Sequence, residues 1–167
     1  VVAGAVLLRE PIVGLKDSKK LSKLQREKLD AQIRVEALGF GLGWVEPAEL
    51  DKIGLTEAVR LAMHRALEAI TAPYTEVIVD GNYNYFPENL LCSTLIGADN
   101  IVPAVSAASI IAKVARDRYM AEMALMHPGY SFERHVGYGT AAHRAAISTL
   151  GLCDLHRRSF RPVQAFA

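Results

Sequence analysis

Apolar and polar positions along this chain switch between a strand-like and a helix-like rhythm. "VVAGAVLL", residues 1 to 8, is an unbroken apolar run of strand length and predicts a buried strand. "EPIVGLKDSKKL" follows as a polar loop containing Pro11 and Gly14. "SKLQREKLDAQIRVEA" predicts a helix. Ser22 and Gln25 stand at capping-box spacing, and Leu24, Lys28, Leu29 and Ile33 share part of a face. "LGFGLGWV" predicts the next strand, whose glycines imply twist or close approach by another backbone. "PAELDKI" opens a short helix with Pro47 in its first turn. Thr56 and Glu57 open a longer helix through Ile70, striped by Val59, Met63, Ala66, Leu67 and Ile70. "TEVIVD" and "LLCSTLIGAD" predict two more strands, each stopping on an aspartate. A long alanine-rich helix runs from about Val105 to Met126. Thr140 caps the last clear helix and Gly151 ends it, and the tail "LHRRSFRPVQAFA" is irregular or briefly helical.

Strands and helices alternate without repeats or low-complexity linkers, so the pattern predicts one α/β domain, a mixed sheet with helices on its faces. The 167 residues suffice for one core. A composition of 51% hydrophobic and 22% charged residues is that of a soluble globular protein. The formal net charge of +1 excludes a wholesale electrostatic grip on nucleic acid but leaves room for a local basic face. No apolar run approaches the roughly 18 residues of a membrane span. No basic leader precedes the first apolar run, so the expected location is cytoplasmic. Cys92 and Cys153 form no C-x-x-C and are expected to be reduced, buried thiols.

Candidate chemistry starts with Asp80, a charge at the end of the apolar strand "VIVD", followed at once by Gly81. Ligands of open α/β sheets gather outside the carboxyl ends of strands. Asp99 repeats the pattern after "STLIGA". Converging carboxylates repel and favour a bound divalent cation, and oxygen-only donors suit Mg²⁺ or Mn²⁺. Aspartate is also a common turn residue, and either position alone reads more simply as a turn. In "PAVSAASIIAKVARDR", small residues Ala104, Ala107, Ala108 and Ala112 allow close packing on a sheet. Ser106 and Ser109 could cap the helix or offer hydroxyls to a phosphate, with Lys113 one turn beyond Ser109. The charged triplet Arg116, Asp117 and Arg118 has a solvated face with i,i+4 pairs as its plain reading, which is preferred for Arg118, with Asp117 left open. His127, His135 and His143 fit no zinc spacing and read as structural or solvent-facing.

Taken together, "GLKDSKKLS", "VIVDGN", "GADNIVPAVSAASIIAKVARDR", "PGYSFERHVGYGTAAH" and "LHRRSFRPV" resemble the ribonuclease HII family, in order and over nearly the whole chain. The helix segment and "HVGYGTAAH" are the specific motifs; "VDGN" alone is weak. The resemblance implies a ribonuclease-H-like α/β fold, a mixed β-sheet flanked by helices, with residues 1 to 167 as a single type-2 ribonuclease H domain. It implies hydrolysis of the RNA strand of RNA–DNA hybrids and cutting at single ribonucleotides in duplex DNA, leaving 5′-phosphate ends. It implies Mn²⁺ or Mg²⁺ held by four carboxylates, of which Asp80 matches the third and Asp99 the fourth. Tyr138 matches the tyrosine that packs on the sugar next to the RNA–DNA junction. Lys19, Lys20, Lys113, Ser109, Arg157 and Arg158 are candidate phosphate contacts, against the simpler reading of solvated surface groups. A monomer is expected, with the nucleic-acid duplex as partner and no membrane.

The chain also departs from the family pattern. The family's first strand, with an Asp-Glu pair and a Gly-Arg-Gly loop, would precede "VVAGAVLL" and is not in this sequence. With two of four carboxylates present, the expectation is an N-terminally incomplete copy and weak cleavage. A catalytically dead hybrid-binding remnant is the alternative. Val136 stands where the family often has lysine, and Gly97 and Ile101 flank Asp99 where lysines are frequent. A nucleotide-handling α/β protein is a more distant rival, because no Walker loop and no G-x-G-x-x-G follows a strand.

Overall fold

The computed structural model describes residues 1–166. They form two compact units, each described by itself.

The larger unit comprises Val2–Trp44 and Val59–Val114. Strand β1 (Val2–Leu7) pairs antiparallel with β2 (Gly39–Trp44), Val2 opposite Trp44 and Leu7 opposite Gly39. Helix α1 (Lys23–Glu36) connects them. Its predicted capping box is present in both directions: Ser22 Oγ accepts from Gln25 N, and Gln25 Oε1 accepts from Ser22 N. Strands β3 (Val77–Asp80) and β4 (Cys92–Leu95) run parallel, with Asp80 level with Leu95. The predicted mixed sheet is thus realised as one antiparallel and one parallel pair among the described residues.

Ile12, Leu21, Leu29, Ile33, Ala107, Ile110, Ile111 and Val114 form the core of this unit. The glycines of β2 do what their pattern implies. A Cβ on Gly43 would lie 1.8 Å from the Ala62 carbonyl oxygen, and one on Gly41 2.0 Å from that of Ala66. Strand and helix backbones are therefore in direct contact along this line. The helix concerned, α3 (Leu55–Glu68), buries Ala58, Ala62 and Ala66 completely. This corrects the predicted stripe: Val59, Met63 and Leu67 are half-buried, because only alanine leaves room for a backbone neighbour. Helix α4 (Pro103–Met126) makes a similar approach, with Ala108 O 2.4 Å from where a Gly4 Cβ would stand.

The smaller unit comprises Val1, Val45–Ala58 and the chain from Ala115 onward. It holds α2 (Pro47–Ile53), α5 (Phe132–His135), α6 (Ala141–Leu150) and α7 (Arg161–Gln164), with the second half of α4. Met120, Tyr130, Phe132 and Ile147 are its core, and the rings of Tyr130 and Phe132 stack with centroids 5.1 Å apart. Thr140 caps α6 and Gly151 ends it, as the sequence predicts. Asp51 fixes the tail: Oδ2 accepts from Arg158 N at 2.7 Å and Oδ1 from Ser159 N at 2.9 Å. Both cysteines are free and half-buried rather than buried. No helix among the described residues is long and apolar enough to cross a membrane.

Candidate functional site

Asp80, Asp99 and Lys19 of the larger unit are linked around the end of β3 and the turn after β4. The apolar strand β3 ends on Asp80, and Gly81, at φ +120°, takes a backbone conformation that side chains rarely allow. Parallel pairing sets Leu95 beside Asp80. From there the chain turns through Gly97, in the left-handed region at φ 72°, into a 3₁₀ turn over Ala98–Asn100. Asp99 therefore stands in this turn, as its simpler sequence reading has it, and not at a strand end, because β4 stops four residues earlier. The turn is tied to the strand by Asp80 itself, whose Oδ1 accepts from Ala98 N at 3.0 Å.

Asp99 is 6% exposed. Its Oδ1 accepts from Asn100 Nδ2 at 2.9 Å, and its Oδ2 faces Lys19 Nζ at 3.8 Å. Ser106 Oγ, at the start of α4, donates to the Asp99 carbonyl at 2.5 Å. Lys19 comes from the turn Ser18–Lys20, capped by the buried Asp17, whose Oδ1 accepts from Lys19 N at 2.9 Å. Ser18 Oγ and Ser109 Oγ share a hydrogen bond of 2.8 Å, so the Ser109 hydroxyl holds this turn onto α4. Lys20 bonds the Asn100 side chain, and Arg26 donates to the carbonyls of Ser18 and Leu21. Lys113 is half-buried one turn after Ser109.

The donor set fits a hard divalent cation. Both candidate ligands are carboxylates, the Oδ2 of Asp80 has no hydrogen-bond donor among the described residues, and Asp99 is met by the neutral Asn100 amide and by a lysine that is itself 83% exposed. Oxygen donors with open coordination positions suit Mg²⁺ or Mn²⁺.

In the smaller unit, Tyr138 lies on a loop held from several directions. Its ring is 58% exposed, with the Arg116 guanidinium 5.1 Å from its centroid. Arg116 also donates to Val136 O at 2.6 Å. Sequence reasoning missed this arginine, because its position in a charged helical triplet looks like a solvated face. Asp51 was missed too, since a short helix far along the chain gives no hint that it anchors Arg158 and Ser159. Arg157 is half-buried, with its guanidinium 4.5 Å from the Phe160 centroid.

His135, His143 and His156 are all buried and hydrogen-bonded. Burial pushes His143 and His156 below the ordinary histidine range, with like charge from neighbouring histidines acting the same way. Below about pH 6.5 the unfolded chain binds more protons than the folded one, so stability falls as pH drops from there towards the lowered folded values. Asp51 does not interfere. Burial pushes it up, but the bonds from Ser159 and Arg158 and the charge of Arg157 outweigh this and hold it below the ordinary range. Its contribution is lost only below about pH 4. The urea midpoint is expected to be lower at pH 5 than at pH 8, and equal midpoints would show that the histidines are not held neutral.

His127 differs from the other three. Its Nε2 lies 3.4 Å from Asp154 Oδ1, and Cys153 joins them, with one ligand atom from each residue within 4.8 Å of the others. Asp154 is 81% exposed, and burial raises the Cys153 thiol, which disfavours the thiolate a metal needs. The group reads as a histidine–carboxylate contact beside a thiol.

A sequence model described as ribonuclease HII matches residues 1–163. The ribonuclease HII of Halorhodospira halophila is 47% identical over 168 residues, covering 98% of this chain and 85% of that protein. That of a Polaromonas species is 48% identical over 166 residues, covering 98% and 82%. Among solved structures, ribonuclease H2 from Pyrococcus horikoshii matches with a TM-score of 0.77 at 20% identity, covering 99% of this chain and 95% of that one. The ribonuclease HII of Archaeoglobus fulgidus, solved in complex with PCNA, matches at 0.74 and 24% identity, covering 99% and 88%. A Bst ribonuclease HIII solved with Mn²⁺ matches at 0.70 and 16%, covering 90% and 56%. These structures establish the fold as ribonuclease-H-like, and the sequence matches establish the lineage: the chain belongs to the ribonuclease HII family of ribonuclease H hydrolases.

Proposed function

We propose that this chain, with residues 1–167 acting as one ribonuclease H type-2 domain, hydrolyses the RNA strand of RNA–DNA hybrids. On the same reading it cuts at single ribonucleotides embedded in duplex DNA and leaves 5′-phosphate ends. The observation that carries this reading is the bond from Ala98 N to Asp80 Oδ1, which ties the carboxylate ending β3 to the turn that bears Asp99. Asp80 and Asp99 would hold Mn²⁺ or Mg²⁺. A divalent cation, when bound, supplies positive charge to a phosphodiester under attack.

The chain's own residues do the rest. Ser106, Asn100 and Asp80 fix the Asp99 turn before any ligand arrives, so little reorganisation is left for binding. Lys19, exposed and 3.8 Å from Asp99, can exchange that carboxylate for a phosphate oxygen. Ser109 acts through Ser18 by holding the lysine turn in place, and Lys113 adds charge one turn further along α4. Arg157 offers a second phosphate contact. The exposed face of Tyr138 stacks on a deoxyribose where a 2′-hydroxyl would intrude, so it reads the junction between RNA and DNA.

The test is a duplex DNA carrying one ribonucleotide, incubated with the chain in Mn²⁺, in Mg²⁺ and in EDTA. The expected result is cutting on the 5′ side of the ribonucleotide in either metal and none in EDTA. Metal-independent cutting would overturn the metal assignment. Salt-dependent binding of the duplex without cutting would favour the non-catalytic alternative. A folded sample that neither binds nor cuts would remove the proposal altogether.

A further inference from the structure

We propose that His156 and His143 form a one-directional hydrogen-bond relay that positions Tyr138, which makes both histidines positioning residues for junction reading. The proposal rests on the reading of Tyr138 given above. Its evidence is separate and lies in the smaller unit alone.

The two ends of the relay are fixed by groups that cannot change role. His143 Nδ1 lies 3.0 Å from Tyr138 O, and a carbonyl only accepts, so the His143 proton is on Nδ1. At the far end His156 Nδ1 meets Cys153 N at 3.0 Å, Cys153 Sγ at 3.1 Å and Cys153 O at 3.3 Å; the N–H is the nearest, and the carbonyl already accepts from His156 N at 3.2 Å, so Nδ1 accepts and the His156 proton is on Nε2. Between them His156 Nε2 and His143 Nε2 are 3.1 Å apart. The end conditions, set independently, leave one proton for this gap, donated by His156 and accepted by His143. The chain reads Cys153 N–H to His156 to His143 to Tyr138 O, with every step satisfied and both rings neutral. A second proton on His143 would set N–H against N–H across the gap, and one on His156 would set Nδ1–H against the Cys153 N–H.

His135 supports the same loop by the same logic. Gly137 N donates to its Nδ1 at 3.2 Å, so its proton is on Nε2, which donates to Tyr130 O at 2.7 Å. The His135 and His143 rings stack with centroids 4.4 Å apart, and Phe132 stands edge-on to both. Imidazoles therefore hold the N–H of residue 137 and the C=O of residue 138, and Tyr138 N donates to His135 O at 2.8 Å. The main chain around Tyr138 is set before a duplex arrives, and such preorganisation lowers the cost of binding.

Among the described residues, the side chains facing the relay offer it no free anion. His143 faces His135 and His156; His156 faces Cys153, His127 and Arg158 as well; and Arg116 lies over the loop. The Asp154 carboxylate is turned to His127.

Long-range ¹H–¹⁵N NMR of the imidazoles at pH 8 tests the relay in the wild-type chain. His143 is expected as the Nδ1–H tautomer, with His156 and His135 as Nε2–H. His143 found as the Nε2–H form would overturn the proposal. The positioning role is read from affinities for a single-ribonucleotide duplex and an all-DNA duplex, with Ca²⁺ replacing Mn²⁺ to stop turnover. His156→Leu is expected to reduce the preference about tenfold, roughly what one buried hydrogen bond can contribute. His156→Gln, whose amide can donate from the Nε2 position, is expected to restore it to within about twofold. Full preference in His156→Leu would overturn the positioning role even with the tautomers as assigned. Full preference in Tyr138→Ala would instead refute the reading of Tyr138, with the tautomers unaffected.

Discussion

Gly43→Ala is expected to leave the chain without a cooperative folded state. The added Cβ would sit 1.8 Å from Ala62 O, 2.7 Å from Ala66 N and 2.8 Å from Ala62 C. All three are backbone atoms of α3, so no side-chain rotation relieves the overlap. Strand and helix must separate, and the fully buried Ala62 and Ala66 then lose their neighbours. Substitutions that force core elements apart belong to the rare class above about 4 kcal/mol, which is most of the stability of an ordinary domain. Gly54→Ala is the control. Its Cβ would meet nothing within 4 Å, and the penalty is backbone strain alone, at φ 80° and ψ 164°, a region almost restricted to glycine that costs about 1–3 kcal/mol. Urea unfolding followed by circular dichroism and by the single tryptophan, Trp44, distinguishes the two. A Gly43→Ala midpoint no lower than that of Gly54→Ala would mean that β2 and α3 do not approach as closely as described.

Asp99→Asn and Asp80→Asn are expected to abolish metal-dependent cleavage and to weaken Mn²⁺ binding about a hundredfold or more. Losing groups that merely orient a ligand already costs 10- to 100-fold, and here a charged ligand itself is lost. The two variants should differ in stability. Asp99 is buried among Asn100, Lys19 and the Ser106 bond to its own carbonyl, so an amide there disturbs a packed turn. Asp80 is exposed, and its asparagine can still accept from Ala98 N. Mn²⁺ titration by electron paramagnetic resonance measures the first effect independently of turnover, and thermal unfolding measures the second. Wild-type Mn²⁺ affinity in both variants would refute the metal assignment.

What the sequence discloses here is mostly local. The Ser22–Gln25 box, the Thr140 cap and the Gly151 stop are each decided within a few residues, and each stands where the pattern puts it. The glycines of β2 correctly announce a backbone neighbour. The partner on α3 was misjudged, because large apolar residues look more core-like than alanine until the neighbour is known to be a backbone. Asp99 also reads as a strand end because "STLIGA" is apolar throughout. The left-handed Gly97 that breaks the strand is visible only as one glycine among several. The roles of Arg116, Asp51 and the three buried histidines depend on contacts between distant segments, such as Asp51 with Ser159 and His143 with His156. No spacing rule encodes these, and the resemblance to ribonuclease HII drew attention to Tyr138 without showing what supports it.

Val136 has φ 43°, a left-handed backbone on a β-branched residue, immediately before Gly137 and Tyr138. Such a conformation costs about 1–3 kcal/mol and persists only where the surroundings over-determine it. Here they do, through the bond from Arg116 and the imidazoles of His135 and His143. The loop therefore has no independent existence: its own residues prefer another shape, and nothing within it nucleates the observed one. In folding, its contacts are expected to form late, after Phe132, Met120 and Ile147 have come together, so that substitutions in the loop change the unfolding rate more than the folding rate. A peptide copied from "HVGYGT" would carry the tyrosine without its geometry, so the junction reading proposed for Tyr138 would belong to the assembled helices rather than to the motif.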